Sequence, residues 1–308
     1  MSGSTRPGAG DSLAQRMVAG VLRGALRALL KPAFRAGRPV AQQRRWLEAV
    51  ARTTLAPRGM RFAPERVGRV PGEWAVASSG DAAPRVIVYL HGGAYCVGSP
   101  ATHRAIAGHL ALRGRARVFT VDYRLAPEHP FPAAVDDAVA AYTALVAGGQ
   151  DPAHLVLAGD SAGGGLCVAT ALKLRELGLP QPSALVLFSP WVDLADQRRG
   201  EVPPGEAMLT PAWLAECAGF YLAGRDARDP QASPVFADLG GLPRTLIQVG
   251  TDELVLPDAA RLHARLEAWG VPSTLRIYPR RWHVFQMHAG ILRDADLALD
   301  AAAAFIAD

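Results

Sequence analysis

The chain has 308 residues and a mass of 32.6 kDa, and 50% of it is apolar; that suffices for one large α/β domain or two small ones and excludes disordered and fibrous folds. Its 31 glycines and 24 prolines follow no three-residue period, which excludes a collagen-like fold. The net charge of +5 is uneven: residues 1–70 carry 14 Lys and Arg against 3 acids (+11), so residues 71–308 carry 19 against 25 (−6), and an acidic body without a basic stripe argues against nucleic-acid binding.

Residues 1–10 have no periodicity and are expected to be disordered. From Asp11, a suitable N-cap, Leu13, Met17, Val21, Leu22, Leu26, Leu29 and Leu30 recur at helical spacing as far as Pro32. Arg16, Arg23 and Arg27 interrupt the stretch, so it is no signal peptide. The run of about 18 apolar residues that a membrane span requires occurs nowhere, and no stable membrane insertion is expected. A basic outer face allows this helix to dock as a lid or to lie on an anionic membrane; Gly20, Gly24 and the lack of Trp favour the lid. A second helix is expected over 41–51, packing Trp46, Leu47 and Val50, so that residues 1–50 form a cap and 51–308 the main domain.

After Pro84 short, nearly continuous apolar runs alternate with longer helical stretches, the pattern of a parallel sheet buried on both faces. The strands are expected at 86–90, 118–121, 155–158, 184–188, 245–249 and 274–278. The helices are expected at 102–113, 133–146, 162–177, 258–269 and 289–307. Residues 191–235, rich in Pro, Gly and charge around one helical piece at 211–222, read as an insertion above the sheet, its cap portion at about 191–225. Cys96, Cys167 and Cys217 are too few and too far apart for a disulfide scaffold or a zinc site, and fit a reducing, cytoplasmic setting.

Residues 155–164 read strand, sharp turn, helix, with G-x-S-x-G across the turn. A serine there, Ser161, is held in a strained bend with its hydroxyl exposed at the carboxyl end of the strand. No G-x-G-x-x-G passes through Gly159 to Gly165, so the turn is not a dinucleotide loop. Upstream, His91-Gly92-Gly93-Ala94-Tyr95 follows a strand directly; acyl transfer creates an oxyanion, and backbone N–H groups of Gly92 and Gly93, with that of Ala162, are placed to receive it. His91 reads as a brace for that loop. A serine hydroxyl needs a base, and the base an orienting acid. Of the eight histidines, His283 lies in a loop after the last strand, His288 would begin the last helix, and His263 falls inside a helix. Asp252 and Glu253 both follow the strand at 245–249, and spacing alone leaves open which is the acid.

The stretches His91–Tyr95, Asp122-Tyr-Arg-Leu-Ala-Pro-Glu-His-Pro-Phe-Pro132 and Gly159-Asp-Ser-Ala-Gly-Gly164 resemble the bacterial hormone-sensitive-lipase-like (family IV) carboxylesterases of the α/β-hydrolase fold. The resemblance runs from about residue 85 to the end and, more loosely, covers the N-terminal helices as a cap. It implies a mostly parallel sheet flanked by helices, a Ser161–acid–His283 triad, no metal and no cofactor. It also implies structural roles for Asp122, Arg124 and Glu128 in bracing the oxyanion loop. The family acid usually sits in D-P-L-x-D, and ungapped alignment through Trp269-Gly270-Val271, Tyr278 and His283 puts Glu253 there, with Asp252 one residue early. Two further departures are Gly165, where the family often has Asn, and Val284, where Gly usually follows the histidine. The stretch 282–286 is similar to a subgroup that includes hydrolases of small terpenoid lactones.

The expected function is a serine carboxylesterase acting on short to medium acyl esters through an acyl-enzyme. The alternatives are a lactone hydrolase, an amidase or formamidase, and, least favoured, a receptor-like binding protein. The expected partner is a small ester or lactone; the sequence leaves the oligomeric state open, and the resemblance allows a homodimer through the last strand and helix.

Overall fold

The apolar runs become the interior of one eight-stranded sheet in the computed structural model, which describes residues 12–79, 84–196 and 201–308. Residues 1–10, expected to be disordered, lie outside the described residues, as does Asp11. The strands are β1 (Met60–Val67), β2 (Val70–Ala77), β3 (Arg85–Leu90), β4 (Ala116–Val121), β5 (Leu155–Asp160), β6 (Ala184–Phe188), β7 (Thr245–Gly250) and β8 (Ser273–Tyr278). Their spatial order is β1-β2-β4-β3-β5-β6-β7-β8. From β4 to β8 every neighbouring pair is parallel, and β5 and β6 are buried throughout, which explains their unbroken hydrophobicity.

Strands β1 and β2 form an antiparallel hairpin that the sequence reading did not contain. Its physical reason is the edge position of β1, which leaves that strand largely exposed and lets it carry Pro64 and three charges, so no apolar run or clean alternation marks it. The local signal was the two-residue Gly68-Arg69 turn between the paired Val67 and Val70.

The helices are α1 (Leu13–Leu29), α2 (Val40–Ala51), α3 (Arg104–Gly114), α4 (Ala133–Ala147), α5 (Ala162–Glu176), α6 (Pro211–Leu222), α7 (Leu256–Ala268) and α8 (Arg293–Ala307). Helix α3 packs on α8 and α4 on α5, while α5 also lies against β3, β5 and β6 at the centre of the sheet. The observed α3 starts two residues later than expected because Pro100–His103 form a 3-10 turn, and α8 starts at Arg293 because Phe285–His288 form another.

At the N-terminus the cap of α1 is Ser12, whose hydroxyl accepts from Gln15 N at 3.3 Å. Helix α1 buries Ala19 and Leu26. Trp46 was expected to pack inward, but its ring remains 46% exposed while its Nε1 donates to the Leu29 carbonyl at 2.7 Å. Gln43 is the buried residue of α2 instead, accepting from Trp213 Nε1 at 2.7 Å and donating to the Arg38 carbonyl. Trp213 also stacks on Phe34, with ring centroids 4.6 Å apart, so the N-terminal segment and α6 share one aromatic contact. Among the described residues no helix is long and apolar enough to cross a membrane.

Candidate active site

Strand β5 ends at Asp160 and α5 begins at Ala162, leaving Ser161 alone in the turn with φ 53° and ψ −122°. A non-glycine residue there costs on the order of 1–3 kcal/mol, so the surroundings must hold it. Ser161 N donates to the Phe188 carbonyl and Trp191 N to the Ser161 carbonyl, each at 2.9 Å, which ties the turn to the end of β6. Gly163 lets α5 sit directly on β3, since a Cβ there would overlap the Leu90 carbonyl oxygen. Ser161 lines a cavity of about 210 Å³ together with His283, Gly93 and Ala94. The walls are apolar: Leu22 and Leu26 from α1, Leu47 and Val50 from α2, and Met208 and Trp213 from the insertion.

His283 lies in the loop after β8, and its Nδ1 is 2.9 Å from Glu253 Oε2, with both side chains buried. Glu253 Oε1 accepts from Ser189 Oγ at 3.0 Å and from the backbone N–H of Gly250. Of the two carboxylates that spacing left open, Glu253 reaches the imidazole, while Asp252 turns outward to Arg23 of α1, 2.8 Å away. Burial works against a charged imidazole at His283, but the hydrogen bond and charge of Glu253 outweigh it and raise the His283 pKa above its ordinary value. Glu206 and Asp160 push in the same direction.

The loop after β3 differs from expectation at one position. Gly92 lines the cavity, but its N–H donates to Asp160 Oδ1 at 3.0 Å and so already has an acceptor. Gly93, Ala94 and Tyr95 all have positive φ, and neither Gly93 N nor Ala94 N has a protein acceptor among the described residues. Ala162 supplies the first N–H of α5, which no helical carbonyl can accept. Gly93 and Ala94 line the cavity beside Ser161, and Ala162 follows Ser161 directly.

Asp160 is the anchor under this loop. Its Oδ1 also accepts from Tyr89 Oη at 2.7 Å and lies 3.5 Å from His103 Nε2. Burial raises its pKa, but His103, Tyr89 and His91 together overcome this and hold it below the usual carboxylate range. His103 is correspondingly raised by Asp160 against its own burial. His91 is a brace, as read: buried and pushed down to a pKa of about 3, it stacks on Tyr123 at 4.3 Å, and its carbonyl accepts from Tyr123 Oη at 2.6 Å. Tyr123 thus ties the loop through its hydroxyl, and Arg124 pairs with Asp137 at 2.9 Å. Glu128 pairs with Arg44, which also donates to the Cys96 and Ala126 carbonyls and so ties α2 to the loop. Asp122 is exposed, and its N–H donates to the Pro71 carbonyl.

His288 also lines the cavity, where burial pushes its pKa down to about 4. His263 sits on α7 and contacts Ser273 Oγ at 2.9 Å, away from the cavity. Ser189 and His103 are the residues that sequence reasoning missed; the only local signal for Ser189 was its position at the end of a core strand. Val284, where the resembling family has Gly, adopts φ 51° and is nonetheless a buried part of the cavity wall.

A family model described as the alpha/beta hydrolase fold matches residues 87–287. The chain is 43% identical over 242 residues to an acetyl-hydrolase of Streptomyces hygroscopicus, covering 78% of this chain and 80% of that protein. It is 36% identical over 239 residues to an esterase of Acinetobacter venetianus, covering 77% and 78%. The crystal structure of EstE5 superposes with a TM-score of 0.88 at 38% identity, covering 94% of this chain and 97% of that one. An esterase from the bacterial hormone-sensitive lipase family superposes with a TM-score of 0.87 at 37% identity, covering 97% and 98%.

Proposed function

The chain belongs to the bacterial hormone-sensitive-lipase family of α/β hydrolases and is a carboxylic-ester hydrolase, and from that premise we propose a serine mechanism in which Ser161 is the nucleophile. Ser161 Oγ attacks the ester carbonyl as His283 Nε2 takes its proton, and Glu253 holds the tautomer and stabilises the imidazolium. The oxyanion rests on the N–H groups of Gly93, Ala94 and Ala162. His283 then gives the proton to the departing alcohol, and water, activated by the same imidazole, hydrolyses the acyl-enzyme. The observation that carries this reading is the buried 2.9 Å contact between His283 Nδ1 and Glu253, in a cavity that Ser161 shares.

The apolar walls supplied by α1, α2 and the insertion support short to medium acyl chains as substrate and a cap role for residues 1–50 and about 191–225. Three buried free cysteines accord with a reducing, cytoplasmic setting.

The test is hydrolysis of p-nitrophenyl esters from acetate to palmitate by wild type and Ser161→Ala, with small lactones in parallel. Turnover peaking at short to medium chains and abolished in the variant is expected. Persistent turnover in Ser161→Ala would overturn the mechanism, and faster opening of lactones than of esters would replace the substrate class.

A further inference from the structure

Asp252 is not the residue that orients His283, yet it occupies a junction. Its Oδ2 is 2.8 Å from Arg23 Nη2, and the same nitrogen donates to the Arg280 carbonyl at 2.7 Å. The Arg23 guanidinium also lies 5.6 Å from the Trp282 ring centroid. One side chain from α1 thereby touches the acid-bearing loop one residue before Glu253 and the base-bearing loop one residue before His283.

These loops are also joined to each other. Thr251 N donates to the Tyr278 carbonyl at 3.0 Å, Asp252 N to the Arg281 carbonyl at 2.9 Å, and Arg280 N to Thr251 Oγ1 at 2.7 Å. On its far side the Asp252 carboxylate is closed off by Gly205, where any Cβ would overlap it. Glu206, the next residue, accepts from Leu254 N at 3.0 Å, and Arg27 of α1 donates to the Pro204 carbonyl. The Arg23 and Asp252 side chains are only 24% and 19% exposed, so this pair is screened less than a surface ion pair.

We propose that Arg23 is a positioning residue for the Glu253–His283 pair, acting through Asp252: when α1 is seated, its guanidinium neutralises Asp252 and locks the two loops in register. This rests on the triad proposed above. It makes the N-terminal helix part of the catalytic apparatus as well as a wall of the cavity.

A structural clamp and a positioning residue differ in their effect on the acid limb of the pH–rate profile. The charged groups around His283 are Glu253 on the β7 loop, Glu206 on the insertion and Asp160 at the nucleophile turn, with the Arg23–Asp252 pair beyond Glu253. Arg281, in the histidine's own loop, is paired with Asp294 at 2.8 Å, and His288 lines the same cavity. Removing Arg23 uncovers a negative charge and favours the imidazolium; removing the Asp252 charge uncovers a positive one and disfavours it.

The experiment measures kcat and KM for a short p-nitrophenyl ester from pH 5 to 9 in wild type, Arg23→Gln, Arg23→Lys, Asp252→Asn and the double variant Arg23→Gln/Asp252→Asn. Arg23→Gln is expected to move the acid limb up, and Asp252→Asn to move it down, each on the order of half a pH unit. Arg23→Lys should leave the limb in place, and the double variant should return it towards wild type. The kcat of Arg23→Gln should fall roughly tenfold with KM nearly unchanged, because Arg23 does not line the cavity. Limbs that stay together in all variants overturn the proposal, whatever happens to kcat. If Arg23→Gln does not fold, the downward limb of Asp252→Asn still decides. Failure of the triad itself would appear separately, as turnover surviving Ser161→Ala.

Discussion

Ser189 Oγ donates to Glu253 Oε1 at 3.0 Å and accepts from Val284 N at 3.2 Å, so a single buried hydroxyl joins Glu253 to the residue that follows His283. Ser189 itself sits directly after β6 with φ 47°, and its N–H donates to the Gln248 carbonyl at 2.7 Å. The end of β6, strand β7 and the loop after β8 thus meet at the Glu253–His283 pair.

Ser189→Ala should therefore lower kcat without dismantling the fold. It leaves Val284 N unsatisfied and removes one donor from Glu253, at a cost of about 1–3 kcal/mol. Ester kinetics beside urea unfolding check this: the expected result is a kcat loss of roughly tenfold or more with a cooperative transition retained, and unchanged kcat would refute the coupling.

Glu253→Gln tests the electrostatics of the pair. His283 must be neutral to act as a base, and Glu253 raises its pKa, so wild-type activity is lost as pH falls through that raised value. Removing the carboxylate charge lowers the His283 pKa, and the acid limb of kcat/KM should move to lower pH. The maximum should fall by roughly two to four orders of magnitude, because the amide neither fixes the tautomer nor stabilises the imidazolium. An unmoved limb would mean that another group sets it.

Ser161→Gly separates catalysis from strain. Glycine adopts φ 53°, ψ −122° at little cost, so the variant should be inactive, by roughly four to six orders of magnitude in kcat, yet more stable by about 1 kcal/mol. Thermal unfolding checks the second half: a lower Tm than wild type would show that the turn is not strained.

Asp160→Asn should destabilise the protein by about 3–5 kcal/mol at pH 7, since it strips a buried charge from His103, Tyr89 and Gly92 N. Asp160 has a lowered pKa in the fold, so its stabilisation is present above the unfolded value near pH 4 and is lost as pH falls through the lowered one. Wild type should lose stability below about pH 4 more steeply than Asp160→Asn in urea titrations at several pH values. Parallel pH dependences would exclude Asp160 as the anchor.

The amino-acid sequence by itself determined the parallel sheet, its alternating helices, the nucleophile turn and the loop that carries His283. Each of these is a local pattern: an apolar run bounded by turn residues, a helical period, or a short motif whose geometry follows from its own glycines. Tertiary structure decided what depends on neighbours distant in sequence. Adjacent residues point in different directions, so only the packing of the β7 loop on the β8 loop sends Glu253 to His283 and Asp252 to Arg23. Gly92 N, expected to be free, is instead taken up by a carboxylate 68 residues away. The β1–β2 hairpin was hidden because an edge strand need not be apolar, and Trp46 stayed half-exposed because Gln43 fills the buried position of α2. Spacing along a chain reports which residues share a face; which group that face meets is set by the fold.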